Sequence, residues 1–124
     1  MGADFAYIGS PFIAAAEANA ADGYKQAIVD GRAADIVYSN LFTGVHGNYL
    51  RASIEQAGLD PDALPEGDVS TMNFGTGADQ VKAWRDIWGS GQGIAAIKQV
   101  EPAGDLVARL ADEYRDAQAR LLAA

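Results

Sequence analysis

Phe5-Ala6-Tyr7-Ile8, followed directly by Gly9-Ser10-Pro11, is the stretch that decides the predicted fold. The run is apolar, with aromatic and β-branched members and no polar alternation, which is typical of a strand buried on both faces of a sheet. It lies almost at the beginning of the sequence, and no earlier segment offers a strand to pair with it. We therefore expect the edges of this strand to be exposed or to pair with a second copy.

Downstream of this stretch the patterns are mostly helical. Ala18, Ala21, Tyr24 and Ile28 recur at helical spacing, which predicts a helix over residues 17–30 that ends at Gly31. Ile36-Val37-Tyr38 reads as a second strand or extended segment. Further helices are predicted over residues 49–57, 80–88, 94–100 and from Pro102 onward, the last with an apolar stripe of Leu106, Leu110, Tyr114, Ala117 and Leu121.

Composition narrows the possible partners. A chain of 124 residues suits one domain rather than two, and its net charge of -8 disfavours binding to nucleic acid or to an anionic membrane. The sequence contains no Cys and one His, so thiolate and multi-histidine metal sites are excluded, and we expect no metal. No apolar run approaches the roughly 18 residues that a membrane span requires. These features predict a soluble, cytoplasmic protein.

Gly9-Ser10 has two interpretations. A strand that ends in Gly-Ser is most often an ordinary turn. At the carboxyl end of a barrel strand, however, glycine lets a phosphate approach the backbone, and the serine hydroxyl and nearby N–H groups can donate to that phosphate.

Several motifs then carry a family resemblance. The stretch from Gly2 through Gly9-Ser10, with Phe12 and Glu17 after it, resembles the eighth strand of the flavin-binding barrels of nitronate monooxygenases. The rest of the chain is similar to the segment after the barrel in one branch of that family. The matching motifs are Ala34-Asp35-Ile36-Val37-Tyr38-Ser39-Asn40-Leu41-Phe42-Thr43-Gly44-Val45, Asn48-Tyr49-Leu50-Arg51, Met72-Asn73-Phe74, Lys82-Ala83-Trp84 and Asp86-Ile87-Trp88-Gly89-Ser90-Gly91-Gln92-Gly93.

The resemblance implies an α/β fold in which this chain is the carboxy-terminal fragment of an FMN-binding (β/α)8 barrel. Residues 1–31 would be the last barrel strand and its helix, and residues 32–124 a mainly helical segment of the same partial domain. The implied reaction oxidises alkyl nitronates with O2, through FMN, to carbonyl compounds and nitrite. The family's catalytic base belongs to an earlier Gly-Gly-His-type loop that this sequence lacks, so we expect no activity from the chain alone. A complete barrel needs roughly 250 residues.

The same resemblance implies roles for eight residues. Tyr7, Ile8, Gly9 and Ser10 would hold the FMN phosphate. His46, Asn48, Lys82 and Gln92 are candidates for the substrate pocket. His46 also has a plainer interpretation, as a loop histidine that bonds to backbone, and Trp84 and Trp88 are expected to pack between helices.

Two other functions stay open at the sequence level. Another flavin reductase on the same barrel, acting on a quinone or an enoyl substrate, would share the Gly9-Ser10 motif. A helical interaction module without catalysis would share the helical patterns. The catalytic loop in the sequence upstream of the motif would distinguish such a reductase from a nitronate monooxygenase. Bound flavin would distinguish either enzyme from the interaction module.

Overall fold

The computed structural model describes residues 4–67 and 85–123, and the structural statements below concern these residues. Its helices are Ser10–Ile13 (α1), Asp22–Asp30 (α2), Arg51–Gln56 (α3) and Ala103–Leu122 (α4), its strands are Ile36–Ser39 (β1) and Gly47–Leu50 (β2), and its 3-10 helices are Ala33–Asp35 and Gln92–Ala96. The regions predicted as helix over residues 80–84 and as aperiodic over 69–77 lie outside the described residues, as do Lys82 and Trp84.

The sheet is an antiparallel hairpin of β1 and β2, in register from Ile36 opposite Leu50 to Ser39 opposite Gly47. Gly44 has φ 69° in the connecting turn, a conformation that favours glycine. Residues 88–90 extend the pairing along the other edge of β2. The Leu50 N–H donates to the Trp88 carbonyl at 2.8 Å, and the Ser90 N–H donates to the Asn48 carbonyl at 3.1 Å. The hairpin is thereby tied to the region before Gln92.

The core lies where α1, α2, β2 and the second 3-10 helix meet. Its buried members are Ala14, Ile28, Leu50, Ile94 and Ile97. Ile28 comes from the predicted apolar face of α2. Ile94 packs where Gly31 ends that helix, since a Cβ on Gly31 would lie 2.6 Å from the Ile94 Cδ1 atom. Ala14 directly follows α1 and Ile97 directly follows the second 3-10 helix, so the core joins side chains from distant parts of the sequence.

The predicted barrel fragment is wrong. Residues 5–9 form no strand, and the side chains of Phe5 and Tyr7 are fully exposed, at 94% and 103%. The strands of the described residues are antiparallel neighbours, whereas barrel strands run parallel. A strand needs a neighbour for its backbone groups, and no described segment lies beside residues 5–8 to provide one. The observed fold is a small mixed arrangement with a two-stranded sheet and a carboxy-terminal helix.

The predicted first helix begins too early. The spacing of apolar residues predicts a start near Glu17, but α2 begins at Asp22. Residues 14–16 instead pair with Glu101, since the Ala16 N–H donates to the Glu101 carbonyl at 2.9 Å and the Glu101 N–H donates to the Ala14 carbonyl at 3.4 Å. This pairing is long-range, so the alanine-rich sequence, which favours helix locally, does not reveal it.

Two other helices also differ from the prediction. Tyr49 and Leu50 belong to β2, so the helix predicted from residue 49 begins at Arg51. Residues 92–96 form a 3-10 helix in place of the predicted helix over 94–100. The predicted stops at Gly31 and Gly58 are confirmed, as is the long final helix. Among the described helices, none combines the length and apolar character needed to cross a membrane.

Candidate functional site

Ser10, Ser90 and Gly91 meet in a cluster that we name the serine–glycine junction. The Gly91 N–H donates to the Ser10 Oγ atom at 2.9 Å, between residues 81 positions apart in the sequence. The Ser90 Oγ atom lies 3.4 Å from the same Ser10 oxygen, and Ser90 itself is buried. The junction therefore joins the two glycine-containing segments that the sequence singled out, Gly9-Ser10 and the 89–93 loop.

Local sequence explains how Ser10 is presented. Ser10 begins α1, and Pro11 follows at a position in the first turn where its missing N–H costs no hydrogen bond. The Phe12 N–H donates to the Gly9 carbonyl at 2.9 Å and closes the turn. This turn fixes the Ser10 side chain against the 89–93 loop.

An aromatic pair, Tyr24 and Trp88, contacts the beginning of the 89–93 loop. The rings of Tyr24 and Trp88 stack with centroids 5.0 Å apart and an interplanar angle of 12°. The Tyr24 hydroxyl donates to the Gly89 carbonyl. Burial raises the pKa of Tyr24 above its usual value, so the phenol keeps its proton at neutral pH and remains a donor. The pair anchors the loop to α2.

One edge of the junction, at Gly9, is open. A Cβ built on Gly9 would meet no described atom within 4 Å, so a ligand can approach the backbone there. Ser10 Oγ accepts a hydrogen bond from Gly91, which leaves its own hydrogen available to a phosphate oxygen. Tyr7 and Ile8 are exposed and form no wall against which a flavin ring could stack. The described residues thus offer one hydroxyl donor beside an open glycine and no enclosure for a flavin ring.

Of the residues predicted for the substrate pocket, Asn48 and Gln92 lie next to the serine–glycine junction. Asn48 is next to the junction through its backbone, because its carbonyl accepts the Ser90 N–H, while its side chain is exposed. Gln92 follows Gly91 directly and is exposed at the start of the 3-10 helix. The structure thus brings together Ser10, the Asn48 backbone and the beginning of the Gln92 helix.

His46 lies at a different feature. Its ring stacks on Tyr38 with centroids 4.7 Å apart and an interplanar angle of 21°. Both residues line a cavity of about 250 Å³ that also contains Asn40, Asp62 and Glu66. Tyr38 is also the cross-strand partner of Asn48, so Tyr38 links both candidate residues.

Comparisons with protein-family models, with curated proteins and with solved structures find no match for this chain. The nitronate monooxygenase resemblance accordingly stays a prediction that rests on the motifs quoted above. No group of three or more potential metal-ligating side chains is found in residues 4–67 and 85–123.

Sequence reasoning missed two residues that hold the site together. Ser53 is fully buried and accepts the Trp88 N–H at 3.0 Å, which fixes the beginning of the 89–93 loop on α3. Tyr24 was placed on the apolar face of its helix, but its hydroxyl contact with Gly89 was not anticipated. Both contacts span dozens of residues, and neither carries a local sequence signal.

Proposed function

We propose that this chain serves in an FMN-dependent nitronate monooxygenase that oxidises alkyl nitronates with O2 to carbonyl compounds and nitrite. The proposal rests on the serine–glycine junction. Gly9-Ser10 and the 89–93 loop are the two segments that the family resemblance implicates in holding cofactor and substrate, and the Gly91 N–H binds Ser10 Oγ at 2.9 Å. Two segments with a shared function are expected to meet in space.

Within this proposal, the chain contributes binding contacts. The Ser10 hydroxyl donates to a phosphate oxygen of FMN, and Gly9 allows the close approach. Gln92 follows the junction directly and presents an exposed amide there, which can orient the nitro group of the substrate, whereas Asn48 meets the junction through its backbone carbonyl. Bound FMN supplies the electron path from nitronate to O2.

The proton-abstracting base is not assigned within this chain. His46 is exposed and stacks on Tyr38 rather than lying at the junction, and the family's base belongs to a loop motif that the sequence lacks. We therefore propose that the chain does not catalyse the reaction alone, and that His46 lines a substrate entrance at most. The proposal also places the protein in the cytoplasm.

Gly9→Val tests the proposed contact in the flavin-loaded protein that contains these residues. Gly9 has φ -116°, which valine also adopts, and a Cβ there meets no described atom within 4 Å. The folded chain should therefore keep its stability, whereas a phosphate against this backbone would be displaced. We expect FMN occupancy and nitronate-dependent nitrite release to fall together by at least about tenfold.

Two serine variants complete this experiment. Ser10→Ala removes one donor to a charged acceptor, so we expect weaker FMN binding by about 1.5–3 kcal/mol. Ser39→Ala is the matched control, because the Ser39 hydroxyl accepts only a local bond from the Leu41 N–H at 3.1 Å and lies outside the junction. Full FMN occupancy at unchanged affinity in Gly9→Val would contradict the assignment. Retained flavin that reduces quinones or enoyl substrates but forms no nitrite would favour the reductase alternative.

A further inference from the structure

We draw no further inference here: the strongest candidate, the open and mostly apolar groove of about 500 Å³ between α2 and α3, carries none because nothing in the structure shows what covers it.

Discussion

The Ser53 hydroxyl donates to the Leu50 carbonyl at 2.8 Å and accepts the Trp88 N–H at 3.0 Å. Its side chain is fully buried, so water cannot replace either partner. Through these two bonds one hydroxyl holds the end of β2, the beginning of α3 and the entry to the 89–93 loop. In the sequence, Ser53 is an ordinary polar residue in a helical pattern, and no spacing rule distinguishes it.

Ser53→Ala should lower the free energy of unfolding by about 1–3 kcal/mol, because it removes two hydrogen bonds and leaves the part-buried Trp88 N–H without its acceptor. Urea denaturation followed by circular dichroism measures the change. Ser39→Ala is the comparison, since the buried Ser39 hydroxyl accepts one hydrogen bond, from the N–H two residues away. We expect this variant to lower the free energy of unfolding by about 1 kcal/mol or less. Equal losses in the two variants would mean that the Ser53 bridge does not stabilise the junction.

At the scale of elements, α4 is held by a residue far away in the sequence. The Glu17 Oε2 atom accepts the Ala103 N–H at 2.9 Å, across 86 positions, at the first residue of the helix. This hydrogen bond is the main cause that lowers the pKa of Glu17 from 4.5. Because the folded-state pKa is below the unfolded one, the stabilisation is complete above about pH 4.5 and is lost as the pH falls through the lower value.

Glu17→Gln should therefore lower the melting temperature at pH 7, where the carboxylate is charged. The difference from the unmodified protein should shrink as the pH is lowered below about 4.5 and vanish at still lower pH. Thermal melts from pH 7 to pH 2.5 measure this convergence. Glu66→Gln removes the same charge from a residue that lines the cavity beside Tyr38 and His46, and it serves as the control. A gap between Glu17→Gln and the unmodified protein that stays constant with pH would contradict the role of the charge.

Some of the helices and strands could be predicted from the sequence and others could not. β1 and α4 were predicted because each has a strong local pattern, a β-branched run and a long apolar stripe. The beginning of β2 was missed because Gly47-Asn48 resembles a loop until it is paired with Tyr38 and Ser39. Residues 14–16 were missed because their pairing with Glu101 is long-range. The prediction of a strand at Phe5-Ala6-Tyr7-Ile8 was wrong. The composition of this run favours a strand, but no described segment pairs with it.

The candidate site follows the same rule. Ser10 and the 89–93 loop were both identified from the motifs, but their contact was not, because nothing local relates positions so far apart. His46 and Asn48 are both predicted as pocket residues, but the His46 ring stacks on Tyr38 while the Asn48 carbonyl accepts the Ser90 N–H. Local sequence motifs thus predict candidate residues. Which of these residues contact each other depends on the tertiary pairing of β2 with residues 88–90.

At the scale of the whole molecule, residues 4–67 and 85–123 combine a small core with a set of exposed apolar side chains. Phe5, Tyr7, Tyr114 and Leu121 are each more than half exposed. Large exposed apolar residues that occur in clusters commonly mark surfaces that bind another protein or a ligand. Phe5 and Tyr7 lie close in the sequence to Ser10, the residue proposed to contact the phosphate of FMN.

The most direct test of the central claim is an assay of the polypeptide that contains these residues, purified from the cells that naturally produce it. The measurement is nitrite released from an alkyl nitronate in air, with bound flavin quantified in the same sample. We expect a yellow protein with close to one FMN per polypeptide, and nitrite formation together with the carbonyl product. A preparation that contains no flavin and forms no nitrite would contradict the proposed function.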